Sequence, residues 1–232
     1  MPALPRSNYS MSRESTIAIA KAHLDRGDAL GWFEEVYRAH SADAREIPWA
    51  DFAPNDLLVS WLDEHGAGGL AAGTKACVVG CGLGDDAAEL ARRGARVTAF
   101  DLSPTAIDLA RQRFPALATE WHAADLYSLP APWRRSFDVV FEAYTLQSLP
   151  ADLRRQAFEN IAALVAPGGK LVIVARLREP ADAVPAAPPW PLTRAELIDA
   201  PPAGLTVERE EEYPPSDKHP ARRIRLTYRR EP

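Results

Sequence analysis

Between residues 76 and 175 the chain alternates short apolar runs with stretches of helical pattern, and this alternation constrains the fold more than any other feature. Ala76–Gly80, Arg96–Phe100, Phe137–Phe141 and Lys170–Ala175 read as buried strands, with a weaker run at Thr119–His122. Asp86–Arg93, Pro104–Arg113 and Asp152–Val165 read as the helices between them, with Pro104 suited to a first turn. This pattern predicts a parallel sheet covered by helices on both faces, and right-handed crossovers make it doubly wound. After Arg176 the alternation fails. Five prolines within residues 180–191 mark a stiff exposed segment, a short helix follows at Thr193–Asp199, and Leu205–Glu211 and Arg222–Tyr228 predict an antiparallel pair. The expected class is therefore α/β, with a mostly parallel seven-stranded sheet that ends in an antiparallel C-terminal strand pair.

Residues 1–13 read as a flexible tail and 14–232 as one domain. Within it, 14–74 is expected to form a helical cap, 75–177 the core, 178–200 a proline-rich lid and 201–232 the strand pair. The cap helices are Ser15–Leu24, a stretch starting at Asp28 as N-cap and running through Tyr37, and Asn55–Glu64, ended by Gly66, Gly68 and Gly69. Lys and Arg total 27 against 32 Asp and Glu, a net charge of −5, which weighs against a nucleic-acid partner. No apolar run nears the ~20 residues of a membrane span, and no signal-peptide pattern opens the chain. Cys77 and Cys81 are too few for a disulfide framework, and the five histidines show no metal spacing. The expectation is a cytoplasmic enzyme or binder of small molecules, without metal, membrane or nucleic acid.

The segment Val78-Val-Gly-Cys-Gly-Leu-Gly84 opens directly onto a helix. Glycines at 80, 82 and 84 allow a tight turn and close approach of a ligand to the main chain, next to the unpaired N–H groups of a helix start. Asp101 ends the next strand, 21 residues after Gly80, where a carboxylate can accept both hydroxyls of a ribose. Dinucleotide loops place a third glycine where this chain has Asp85. Asp85 and Asp86 suit a ligand that carries positive charge better than a pyrophosphate.

With these segments in view, residues 76–175 resemble the core of the class I S-adenosylmethionine-dependent methyltransferases, a Rossmann-like fold. Val79–Gly84, with Cys81 inside it, resembles their first motif, and Asp101-Leu102-Ser103 the acidic second motif. Ala124-Asp125-Leu126 resembles the segment beside the adenine, Phe137–Glu142 the fourth strand, and Leu164–Val174 the run into the fifth. The resemblance implies S-adenosylmethionine as cofactor and S-adenosylhomocysteine as product. It implies that Gly80, Gly82 and Gly84 pack against the methionine portion, Asp101 holds the ribose, Leu102 lies on the adenine, and Asp125 with Leu126 holds its edge. Glu142 would sit where donor and acceptor meet, and Glu142 or Tyr144 could serve a hydroxyl or amine acceptor as base. Asp138 reads as structural, since strand alternation turns it away from its neighbours.

Glu46–Asp51 with Pro54–Trp61, and Ala187–Leu192, resemble flanks of the thiopurine, tellurite and halide/thiol methyltransferase group, although the first motif here reads Cys-Gly-Leu where some of that group have Cys-Gly-Lys. A sulfonium is attracted to aromatic faces, so Trp32 and Trp49 are expected beside the cofactor and Trp190 on the lid. The acceptor implied is a small, largely apolar or soft molecule such as a thiol. The alternatives are a nicotinamide-dependent oxidoreductase and a non-catalytic S-adenosylmethionine-binding module.

Overall fold

The computed structural model describes residues 6–64 and 70–232. Seven strands form one sheet: β1 (Lys75–Val79), β2 (Arg96–Asp101), β3 (Glu120–Ala123), β4 (Phe137–Ala143), β5 (Val165–Arg176), β6 (Leu205–Tyr213) and β7 (Arg223–Arg230). Their order is β3-β2-β1-β4-β5-β7-β6. The first five strands are mutually parallel, while β7 runs antiparallel to both β5 and β6. The mostly parallel sheet with an antiparallel terminal pair is therefore the architecture the chain adopts.

Alternation in β1 shows why these runs are apolar throughout. Cys77 and Val79 face one core with Phe158, Ile161 and Ile173, whereas Ala76 and Val78 face a second with Leu58, Leu90 and Ile107. A strand buried on both faces has no polar side to display. The α-helices among the described residues are α1 (Arg6–Asp25), α2 (Trp32–Ala39), α3 (Asp56–Glu64), α4 (Asp85–Arg92), α5 (Pro104–Arg113) and α6 (Ala151–Ala162); α3 to α6 pack on the sheet, while α2 lies on α5 and α1 on α2. The Ser103 hydroxyl caps α5 by accepting from the Ala106 N–H at 2.9 Å, with Pro104 in the first turn.

Several boundaries differ from those the sequence suggests. Helix α1 starts at Arg6, inside the stretch read as tail, because no proline or glycine between Arg6 and Asp25 interrupts it. Residues 1–5 and the glycines at 66, 68 and 69 lie outside the described residues. Asp28 does not cap α2. Its carboxylate closes a preceding turn by accepting from the Gly31 N–H at 2.8 Å, so the helix begins at Trp32. Strand β5 starts five residues early because Pro167-Gly-Gly169 forms a bulge, with pairing to β4 shifting between Phe137↔Val165 and Val139↔Lys170. The Thr193–Asp199 helix is a single π-type turn, Ala195–Asp199.

Two interactions fix the cap to the core. Glu34 of α2 accepts from the hydroxyls of Ser103 (2.5 Å) and Thr105 (2.7 Å) at the start of α5. Burial alone would raise the Glu34 carboxyl, but those hydroxyls hold it below the usual range. Helix α3 is latched to β7, where fully buried Arg225 donates to the Leu57 carbonyl at 2.8 Å and to Glu64 and Glu211 at 2.7 Å. Among the described residues, no helix is long and apolar enough to cross a membrane, and no group of three His, Cys, Asp or Glu could hold a metal ion.

Candidate active site

A cavity of about 330 Å³ opens at the carboxyl ends of the parallel strands. Val79 and Gly80 after β1, Leu102 after β2, Tyr144 after β4 and Arg176 at the end of β5 all line it. Ligands of open α/β sheets occupy this end, where the strand order reverses, here beside β1.

The floor is the glycine loop. Gly80, Gly82 and Gly84 all have positive φ (59°, 51° and 86°), a conformation that favours glycine. The three do different work. A side chain at Gly80 would strike the Thr145 hydroxyl, and one at Gly82 would lie 2.8 Å from the Tyr37 hydroxyl. One at Gly84 would lie 2.6 Å from the Trp121 ring, and Gly84 does not line the cavity. Gly84 therefore lets the loop settle on Trp121, while Gly80, Cys81 and Gly82 face the site. Burial pushes the Cys81 thiol well above its ordinary range, so it is neutral there.

Asp101 is the hub beneath the loop. One carboxylate oxygen accepts from the Gly82 N–H and the other from the Ser103 N–H, both at 2.9 Å. Burial raises its carboxyl above the ordinary value against the pull of these two N–H groups. The carboxylate thus orients the loop and lines the cavity at once. Ser103 itself is fully buried and spent on capping α5 and on Glu34, so it does not reach the cavity. Leu102, Asp125 and Leu126 line it together. Asp125 is held in place by accepting from the Tyr127 N–H at 2.8 Å.

The two aspartates after the loop differ. Asp85 is neutralised by a two-point ion pair with Arg113 at 2.6 and 2.8 Å. Asp86 accepts from the Asn55 N–H at 2.7 Å, and burial pushes its carboxyl up to about 7.

Opposite the loop, α1, α2 and residues 48–55 form the roof. Trp32 stacks on Phe33 with centroids 3.9 Å apart and meets Trp49 edge-on at 5.9 Å. The Trp49 indole N–H donates to the Tyr37 hydroxyl at 2.8 Å. Sequence reasoning found Trp32 and Trp49 but missed Phe33 and Tyr37. Their signal was the i, i+4 spacing of Phe33 and Tyr37 on the helix that carries Trp32.

Besides Gly84 and Ser103, two expected site residues sit elsewhere, Glu142 and Trp190. Glu142 is fully buried and does not line the cavity. It shares the sheet face of Val79 and Ile173, its register partners. One of its oxygens accepts from the Leu146 N–H at 2.8 Å, and the other has no partner among the described residues. Burial pushes its carboxyl up to about 7. It touches the site only through the 144–146 turn, which it braces. Tyr144, at the head of that turn, does line the cavity and has φ 65°, a strained value for a bulky residue. Trp190 also misses the cavity. Its ring N–H donates to the Pro185 carbonyl at 2.9 Å and Arg154 lies over its face at 5.8 Å, while Pro188 and Pro189 line the cavity in its place. Asp138 has a structural partner, accepting from the Lys75 N–H at 2.9 Å.

Comparisons with known proteins agree with this geometry. Residues 77–169 match a family model described as a methyltransferase domain. The chain is 30% identical to a ubiquinone biosynthesis O-methyltransferase of Stutzerimonas stutzeri over 54% of this chain and 53% of that protein. It is 36% identical to an uncharacterized methyltransferase of Mycobacterium tuberculosis over 41% of this chain and 47% of that one. The chain thus spans about half the length of these curated relatives. A solved structure from work on the conversion of a disulfide bond into a thioacetal group during echinomycin biosynthesis is similar at 27% identity. Its TM-score is 0.67, and the match covers 86% of this chain and 92% of that one. The fold also matches the 1,6-didemethyltoxoflavin-N1-methyltransferase of Burkholderia thailandensis, solved with S-adenosylhomocysteine bound. That match has a TM-score of 0.66 and 22% identity, covering 86% and 88% of the two chains. Residues 77–169 thus match a methyltransferase domain, and the strand order, glycine loop and Asp101 around them support the likeness to the class I S-adenosylmethionine-dependent methyltransferase superfamily.

Proposed function

We propose that the cavity binds S-adenosylmethionine and directs its methyl group to a small-molecule acceptor, a thiol or another soft nucleophile. The observation that carries this reading is the pairing of a glycine cradle with an aromatic roof. Gly80 and Gly82 line the cavity in left-handed conformations that leave a side chain no room, and Trp32, Phe33 and Trp49 line the same cavity. Bound S-adenosylmethionine supplies an electrophilic methyl on a cationic sulfur, so the protein needs chiefly to align the acceptor and exclude water.

The chain's residues fit these tasks. Gly80, Cys81 and Gly82 bring the backbone close to the ligand, and Asp101 offers its carboxylate for the ribose hydroxyls. Leu102 and Leu126 give apolar contact for the adenine, and Asp125 a polar edge. Aromatic faces and lining carboxylates favour a cationic ligand. The acceptor would lie under α1 and the 178–191 segment, a dry compartment in which a nucleophile loses its hydration. A thiolate needs no base there; for an acceptor that does, Tyr144 brings a hydroxyl to the cavity from the end of β4. A sulfur acceptor draws support from the flanking Pro-Trp segments and from likeness to the protein of the disulfide-to-thioacetal conversion.

Isothermal titration with S-adenosylmethionine and S-adenosylhomocysteine tests the cofactor. A panel of thiols, iodide, tellurite, phenols, amines and tRNA, scored by S-adenosylhomocysteine release, tests the acceptor. Turnover of thiols is expected. No binding of either nucleoside at millimolar concentration, or turnover of tRNA alone, would sink the proposal.

A further inference from the structure

The charges around the cavity are sorted. Of its five aspartates, Asp85, Asp86, Asp101 and Asp125 already have partners, as described. Among the described residues two cationic side chains line it, exposed Arg13 from α1 and half-buried Arg176 at the end of β5. Among the described residues the Arg176 guanidinium has no hydrogen bond and no ion pair. It lies 6.0 Å from the centre of the Tyr144 ring.

Nearby arginines in sequence and in the sheet have partners of their own. Arg222 pairs with Glu179, Arg223 takes Asp56 at two points (2.6 and 3.0 Å), and Arg178 donates to the Pro191 carbonyl at 3.0 Å. The backbone of Arg176 is meanwhile held firmly. Its N–H donates to the Gln147 side-chain oxygen at 2.7 Å and its carbonyl accepts from the Leu192 N–H at 2.9 Å. A rigid base, an aromatic rest and an unspent guanidinium at a ligand cavity are the parts of an anion receptor.

Two further lining residues point the same way. The Thr16 hydroxyl and the Trp32 ring nitrogen are buried without a partner among the described residues, and the indole N–H can only donate. Donors left open in this way call for acceptor atoms on the ligand.

We propose that the methyl acceptor is a small molecule bearing a carboxylate, which Arg176 holds through its two-pronged guanidinium beside Tyr144. This rests on the methyl-transfer reading above and adds the class of acceptor to it. A carboxylate fixed at the end of β5 leaves the rest of a compact acceptor to reach across toward the glycine loop, with Pro188 and Pro189 closing over it.

The test uses protein saturated with S-adenosylhomocysteine, titrated with 4-sulfanylbenzoate and 4-sulfanylbenzamide, which share the thiol and differ in charge. Wild type should bind the carboxylate about tenfold or more tightly than the amide. That ratio should fall below about twofold in Arg176→Met and lie between in Arg176→Lys, which keeps the charge without the fork. S-adenosylhomocysteine affinity should stay the same in both variants, which also shows that they fold. A ratio near one in wild type, failure of both probes to bind, or a ratio that survives in Arg176→Met would overturn the proposal. Weakened S-adenosylhomocysteine binding in Arg176→Met would also overturn it, since the guanidinium would then serve the nucleoside's own carboxylate. Failure of wild type to bind S-adenosylhomocysteine would instead remove the methyl-transfer reading beneath it.

Discussion

Glu142 is an acid whose proton the fold retains well above the ordinary carboxyl range, and glutamine in its place makes that measurable. Its carboxyl is fully buried, with one oxygen bonded to the Leu146 N–H and the other unpartnered, and burial moves it from 4.5 up to about 7. A raised carboxyl means that the folded chain holds a proton the unfolded chain has released. Stability contributed by this group is therefore complete below pH 4.5, falls as pH rises toward 7, and stays lost above it. A shift of that size, at ~1.4 kcal/mol per pH unit, amounts to about 3 kcal/mol. Glutamine keeps the oxygen that accepts from Leu146 and cannot ionise. Glu142→Gln should thus match wild type near pH 4.5 and exceed it by about 3 kcal/mol at pH 8.5. The shift of Asp86, also to about 7, is common to both proteins and cancels in the difference. Urea unfolding of the two proteins at several pH values reads this directly. A stability difference that does not change with pH would refute the account of Glu142 as a brace that retains its proton. Because Glu142 does not line the cavity, S-adenosylhomocysteine affinity should hold within about twofold, a shift worth ~0.4 kcal/mol.

Two other substitutions probe the cradle. Asp101→Ala removes the acceptor for the Gly82 and Ser103 N–H groups as well as the proposed ribose contact, and should weaken S-adenosylhomocysteine binding by about 1–3 kcal/mol in a titration. Equal affinity would mean that Asp101 serves the loop alone. Gly82→Ala forces φ 51° on a side-chain residue, costing about 1–2 kcal/mol, and displaces the Tyr37 hydroxyl from the Trp49 indole for about 1 kcal/mol more. In a Tyr37→Phe background only the first part should remain. A penalty unchanged by Tyr37→Phe would show that the two residues do not meet.

The parts of this molecule that were legible in the sequence are those with a local cause. Strands β1, β2 and β4 are apolar because both faces are covered, and Pro104 and the glycine triplet announce a helix start and a turn. Asp101 was found by its spacing from Gly80. What escaped was set by distant partners. Nothing in Glu142-Ala-Tyr144 says that the carboxylate points beneath the next turn while the tyrosine reaches the cavity; the strained φ of Tyr144 sets that division. Trp190 sits between prolines in a lid-like segment, yet Arg154 of α6 draws its ring away. Gly84 was grouped with its neighbours although Trp121, 37 residues later, gives it a different task. Arg176 carried no motif at all. Its meaning comes from the cavity it lines, while Arg222 and Arg223 take carboxylates of their own.

The position of β7 between β5 and β6 governs the order in which the chain can be put together. During synthesis β5 is complete some fifty residues before its neighbour exists, so its edge stays open until Arg223–Arg230 emerges. Helix α3 waits too, since the Trp61 indole bonds Thr227 at 3.1 Å and the Asp56 and Glu64 carboxylates take Arg223 and Arg225. Contacts 161 to 168 residues apart in sequence close late, and they belong to the segment that leads into β1. The nucleotide half of the sheet can therefore condense early around local β–α units, while its seventh strand completes both the sheet and the packing of the N-terminal cap in one step.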